Sequence, residues 1–141
     1  MSYKPTLCLD FDGVLHSYTS WNENIEGDLP VQGARRFCRR AEEYFTLVVF
    51  SSRAYSLEGE RSIRRWLHAN HFPNMEVTSH KPIAFLTLDD RAMTFTGSWP
   101  RIHTLRKFQP WWKRSTNGAD ASAVSEGSEE EDEEECEVEG G

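Results

Sequence analysis

Two carboxylates stand one residue apart at the end of an apolar run, in the segment CLDFDGVLH that spans residues 8–16. If Thr6 to Phe11 forms a buried strand, its side chains alternate between two faces, so Asp10 and Asp12 point the same way. A buried carboxylate needs a partner or a metal ion, because water no longer solvates its charge. An Asp-Gly turn at Gly13 is a frequent way to end a strand, but it does not account for Asp10 inside the apolar run.

Polar side chains also follow the later apolar runs of the chain; they are Ser51, Arg53, Lys81, Asp89 and Asp90. Ligands of parallel α/β sheets bind beyond the carboxyl ends of the strands, so these residues are expected near the two aspartates. Up to four carboxylates would then meet at one edge, and hard oxygen ligands of this kind favour Mg²⁺. A hydroxyl, a guanidinium and an ammonium group are the donors that an incoming phosphate requires.

The elements that must position these residues alternate between strands and helices. The pattern predicts strands over residues 6–11, 46–50, 75–78 and 83–88, helices over 31–45 and from Ser56 to before Pro73, an edge strand at 93–95 and a short helix near 101–108. Strands that are apolar on both faces favour an α/β fold, with a single Rossmann-like parallel sheet and helices on both faces. Residues 13–30 lack periodicity and are expected to form a long functional loop.

The ordered motifs resemble the four motifs of the haloacid dehalogenase superfamily of phosphohydrolases. They are Asp10-Phe11-Asp12-Gly13-Val14, then Ser51 after an apolar strand, Lys81, and Asp89-Asp90 after another strand, within roughly residues 6–96. The resemblance implies a Mg²⁺-dependent phosphatase in which Asp10 forms an aspartyl-phosphate and Asp12 acts as general acid and base. It also implies phosphate binding by Ser51 and Lys81. The implied metal ligands are Asp10, the backbone carbonyl of Asp12, Asp89 and, ranked below it, Asp90.

No segment of the chain is long enough for a cap domain, so the resemblance is to capless members, and residues 13–30 would form only a flap. Capless members typically accept large or protruding substrates. The sequences SSR at 51–53 and DDR at 89–91 also resemble the phosphatase half of polynucleotide kinase-phosphatases, which removes a nucleic-acid 3′-phosphate. Arg53 would then contact phosphate. The short format resembles small phosphatase-like proteins of bacteria and phages, and the favoured substrates are nucleotide or nucleic-acid phosphomonoesters.

Two other functions stay open at this point. One is a protein that binds or senses a phosphorylated ligand with little turnover, and the other is a nuclease that uses the carboxylates to hold two metal ions. In the predicted flap, His16 is interpreted as a loop histidine, and Trp21 as a residue that packs the flap against the core rather than one that stacks on a base.

The charge of the chain is segregated. Residues 116–141 hold eleven of the 23 acidic residues and no Lys or Arg, so residues 1–115 carry 16 basic against twelve acidic side chains. We expect one phosphatase domain at 1–115 and a disordered acidic tail at 116–141. A solubilising role is favoured for this tail; binding of a basic partner and covering of the domain's own arginines stay open. No apolar run reaches the roughly 18 residues of a membrane span. Three cysteines without a disulfide pattern, and a start without signal-peptide features, favour a cytoplasmic protein.

Overall fold

The computed structural model describes residues 3–115, with side chains to Lys113. Four parallel strands form one sheet in the order β3–β2–β1–β4; they are β1 Thr6–Asp10, β2 Thr46–Phe50, β3 Glu76–Thr78 and β4 Leu86–Leu88. The three central residues of β1 and of β2 are all buried, as expected for strands that are covered on both faces. The predicted α/β class with a parallel sheet is therefore confirmed.

Two helices connect the first three strands. Helix α1 spans Ala34–Ala41 and is shorter than predicted, because Gly33 at its N-cap adopts a positive φ of 83° that starts the helix there. Helix α2 spans Leu57–Ala69, and the predicted cap is confirmed: the Ser56 hydroxyl accepts a hydrogen bond from the Gly59 amide. Both helices bury one stripe of side chains, which is the expected result of their apolar periodicity.

In the main core, these stripes join alternate strand residues, whose side chains share one face of the sheet; they are Leu7, Leu9, Leu47, Val49 and Val77. The long segment between β1 and α1 also enters this core, through Phe11, Leu15 and Ile25. This segment contains no helix and none of the four strands. The predicted loop, residues 13–30, is therefore packed into the core at Leu15 and Ile25, and these points fix where its polar residues lie.

The later part of the chain departs from the predicted elements. Residues 93–95 form no strand, and both Met93 and Phe95 are more than half exposed. Strand β4 is half the predicted length, because its register with β1 covers only Leu86–Leu88. The last predicted helix is α3 Ile102–Arg106, and a further helix, α4 Trp111–Ser115, was not predicted.

The chain divides into two compact units, one that ends at Ser98 and one that begins at Trp99. All of the predicted site residues belong to the first unit. The predicted acidic tail, residues 116–141, lies outside the described residues. Among residues 3–115, no helix has the length and apolar character that crossing a membrane requires.

Candidate active site at the carboxyl edge of the sheet

The predicted site residues leave the sheet at neighbouring strand ends. Asp10 is the last residue of β1 and pairs with Phe50, the last residue of β2, so Ser51 follows on the adjacent strand. On the other side of β1, Leu9 pairs with Leu88, so Asp89 is the next residue after β4. The parallel register therefore brings the ends of three strands to one edge of the sheet.

Three carboxylates form a cluster at this edge. Asp10, Asp89 and Asp90 each offer one oxygen, and these oxygens lie within 4.8 Å of one another. Burial raises the pKa of Asp10 to about 8, and a hydrogen bond with Asp90 and the charge of Asp89 add to this shift. Three hard oxygen donors that repel one another fit a divalent cation such as Mg²⁺, because the cation would remove the repulsion. Asp90 contributes to the cluster on the same footing as Asp89.

The side chain of Asp12 is not part of this cluster. Its carboxylate accepts hydrogen bonds of 3.1 and 2.8 Å from Nε of Arg53 and lies 2.9 Å from Nδ1 of His16. Burial by itself raises the pKa of Asp12, but the hydrogen bonds from His16 and Arg53 outweigh it and the pKa is lowered. This arrangement holds Asp12 as a carboxylate.

His16 is a buried link between two carboxylates, which the sequence did not predict. Its Nδ1 faces Asp12, and its Nε2 lies 2.8 Å from a carboxylate oxygen of Asp28. The ring stacks on Phe11 at 5.0 Å with only 5° between the planes, and Trp66 meets it edge-on at 5.4 Å. The interpretation of His16 as an ordinary loop residue missed this role, because residues 13–15 form a turn and no helical or strand periodicity marks the return of His16 to Asp12.

Asp28 is held in turn by helix α2. The indole Nε1 of Trp66 donates a 3.0 Å hydrogen bond to the backbone carbonyl of Asp28. The carboxylate of Asp28 is partly open to solvent, with 40% of the side chain exposed, whereas the His16 side chain is 4% exposed. A chain of hydrogen bonds therefore runs from the solvent-facing Asp28 through His16 to Asp12.

Arg53 is buried, and two of its three guanidinium nitrogens donate hydrogen bonds within the protein. Besides its contact with Asp12, it donates from Nη1 to the backbone carbonyl of Asn22 at 2.6 Å, and the Trp21 ring covers the guanidinium at 4.0 Å. Its Nη2 is buried and has no hydrogen-bond partner among the described residues. A buried donor without a partner costs free energy, so this nitrogen is the part of Arg53 that suits a phosphate oxygen.

Ser51 and Lys81 differ in their settings. The buried Ser51 hydroxyl accepts a hydrogen bond from the Arg53 amide and starts a 3-10 helix over Ser52–Tyr55, so its proton is left for an anion. Burial raises the pKa of the Cys8 thiol; the charges of Asp10 and Asp89 add to this, and that of Lys81 opposes it. The charges of Asp10, Asp89 and Lys81 therefore all act on the Cys8 sulfur. Lys81 itself is exposed and forms no ion pair within residues 3–113.

Comparison of the chain with models of protein families, with curated proteins and with solved structures finds no match to any of them.

Proposed function

We propose that this protein is a Mg²⁺-dependent phosphomonoesterase of the capless haloacid dehalogenase type, with Asp10 as its nucleophile. The observation that carries the proposal is the carboxylate cluster of Asp10, Asp89 and Asp90, placed at the end of a central parallel strand. The strand order β3–β2–β1–β4 supports the finer description of a Rossmann-like sheet. Helices α1 and α2 share one core cluster with Leu9 and Val49, so helices on both faces stay a prediction. A cytoplasmic location belongs to the same proposal.

In the first step, a carboxylate oxygen of Asp10 attacks phosphorus, and the bond from phosphorus to the ester oxygen breaks. Asp12 donates its proton to the departing oxygen, which leaves as an alcohol. In the second step, water attacks the phosphorus of the aspartyl-phosphate and gives a proton to Asp12, which releases inorganic phosphate and restores Asp10. A bound Mg²⁺ held by the three carboxylates would supply charge neutralisation between the nucleophile and the phosphate.

The hydrogen bonds to Asp12 favour one of its two proposed roles over the other. The lowered pKa that His16 and Arg53 impose favours the carboxylate, which is the form that the second step requires. The first step requires the protonated form. Substrate binding must therefore weaken the contact between Arg53 and Asp12, and the phosphate itself supplies the competing anion for Arg53.

Phosphate binding is assigned to Ser51, Lys81 and Nη2 of Arg53. Ser51 offers a hydroxyl proton beside the nucleophile, and Lys81 offers a charge that no carboxylate of the described residues pairs with. Arg53 offers a donor that is already desolvated. Nucleotide or nucleic-acid phosphomonoesters are the favoured substrates.

The test is hydrolysis of an aryl phosphate by the wild type, by Asp10→Asn and by the control Glu76→Gln, which changes an exposed acid on β3. We expect Mg²⁺-dependent release of phosphate by the wild type and the control, abolished by a chelator, and a loss of at least about 10³-fold in Asp10→Asn. Equal rates in all three proteins would exclude Asp10 as the nucleophile.

A second candidate is a phosphate-ligand binding or regulatory protein with little turnover. The contact between Arg53 and Asp12 favours it, because a general acid that stays ion-paired protonates no leaving group. This candidate predicts tight retention of a phosphorylated ligand by the wild type together with slow turnover. Calorimetric titration beside the hydrolysis assay separates the two functions.

A further inference from the structure

A cleft lies against Arg53, and its lining includes none of the three clustered carboxylates. It has a volume of about 540 Å³, and its walls come from the flap, the 3-10 helix and the first turns of α2. Ligand pockets typically measure roughly 300–1,000 Å³, so a nucleoside fits within it. Arg53 lines this cleft and also contacts Asp12, so one side chain links the cleft to the proposed general acid.

Two exposed aromatic side chains line the cleft. Trp21 is 58% exposed and Tyr55 is 91% exposed, although large aromatic side chains normally bury most of their surface. One face of Trp21 covers the Arg53 guanidinium, which fixes the position of its ring. Aromatic rings held next to a phosphate site are the usual means of stacking on a nucleobase.

The remaining lining is polar and mildly acidic. Glu23 and Glu58 outnumber Arg65, while the charge of Arg53 is already engaged by Asp12. Uncharged hydrogen-bonding groups complete the wall; they are Asn24, Ser52, Ser56 and Ser62. Such a lining suits the polar edge of a base and disfavours the additional phosphates of a polynucleotide, because two acidic side chains would repel them.

We propose that this cleft, lined by Trp21, Tyr55 and Arg65 beside Arg53, binds the nucleoside part of a mononucleotide whose phosphate lies at Asp10. The inference rests on the proposed function and narrows its substrate class to nucleoside monophosphates. The base stacks on the exposed aromatic rings, and the sugar passes Arg53 towards the carboxylate cluster. Binding of the nucleoside also offers Arg53 a contact that competes with Asp12.

The experiment compares adenosine 3′- and 5′-monophosphate, ribose phosphate, adenosine and a 3′-phosphorylated oligonucleotide, by calorimetry and by turnover with Mg²⁺. The proteins are the wild type, Tyr55→Ala and the matched control Tyr44→Ala, which changes an exposed tyrosine outside this cleft. We expect at least one mononucleotide to exceed ribose phosphate in kcat/KM by about tenfold or more, and Tyr55→Ala to remove most of that difference. Tyr44→Ala should leave it unchanged.

The outcomes distinguish the proposal that the cleft binds a nucleoside from the proposal that the protein is a phosphatase. Adenosine binding that Tyr55→Ala weakens, without turnover of any phosphate ester, would support the cleft and reject the phosphatase. Turnover that is equal for ribose phosphate and mononucleotides, and unaffected by Tyr55→Ala, would overturn the cleft and leave the phosphatase standing. An oligonucleotide that is bound more tightly than every mononucleotide would also overturn the inference.

Discussion

Replacing Asp10 by Asn should make the metal-free protein more stable while it abolishes turnover. The carboxylate of Asp10 has an ordinary pKa of 3.8 and a pKa of about 8 in the fold, so the folded protein holds this proton more tightly than the unfolded chain. Stability therefore falls as the pH rises from about 4 to about 8, and the full penalty is present above about 8. The Asn side chain carries no charge, so the variant escapes that penalty.

The size of the effect follows from the shift. Four pH units correspond to at most about 6 kcal/mol. Asp10 is only partly buried, and solvent screening reduces this to about 2 kcal/mol. For a domain of this size, about 2 kcal/mol raises Tm by roughly 10 °C. At pH 5 the gain should be much smaller, because most of the penalty has not yet developed.

Thermal unfolding followed by circular dichroism measures this directly, at pH 5 and pH 8 with a chelator present. Glu76→Gln is the control for loss of one acidic side chain, and it should leave Tm unchanged within about 1 °C, since exposed substitutions change little. Adding Mg²⁺ at pH 8 should raise Tm of the wild type more than that of Asp10→Asn. A metal-free Asp10→Asn protein that melts below the wild type at pH 8 would refute the reasoning that burial and the neighbouring carboxylates disfavour a charge on Asp10.

Three further changes test other parts of the site. His16→Gln should lower the free energy of unfolding by about 1–3 kcal/mol and lower kcat with little change in KM, because it frees the Asp12 side chain. A fall in Tm with an unchanged kcat would leave His16 a purely structural role. Gly59→Ala should destabilise the protein by about 1–3 kcal/mol despite the better helix propensity of Ala, because a Cβ there would overlap the Arg53 carbonyl oxygen. Chemical denaturation should show no such loss for the control Arg61→Ala on the same helix, and a Gly59→Ala protein more stable than the wild type would contradict this packing. Lys81→Met should raise KM for a phosphate ester by about tenfold or more with Tm unchanged, because the side chain is exposed and its charge is proposed to bind the phosphate. An unchanged KM in steady-state kinetics would exclude Lys81 from the phosphate site.

The parts of the fold that could be predicted are those in which local pattern and burial agree. Strand β2 has the predicted bounds, residues 46–50, because its apolar run is also the part that is buried. Ser56 caps α2 because a hydroxyl before an amphipathic segment satisfies a free amide. Strand β4 was overestimated, because an apolar run extends beyond the residues that find a partner on β1. Apolar character alone does not reveal which residues of an edge strand are paired.

The residues around Asp12 could not be predicted from local pattern. His16 is buried because Phe11 and Trp66 enclose its ring, and Trp66 lies on a helix fifty positions further along the chain. Arg53 turns towards Asp12 and Asn22 for a similar reason, since Asn22 lies in the flap and Asp12 directly precedes it. Such contacts depend on how the loop packs into the core, which spacing along the sequence does not encode.

The central claim is that Asp10 is phosphorylated during turnover. The most direct measurement is rapid quenching of the protein with an aryl phosphate and Mg²⁺, followed by mass spectrometry of the peptide that contains residues 6–16. The proposed mechanism predicts a phosphoryl group on Asp10 in the wild type that is absent from Asp10→Asn and from samples without metal. Turnover by the wild type with no phosphorylated Asp10 at any quench time, or with the phosphoryl group on another residue, would contradict it.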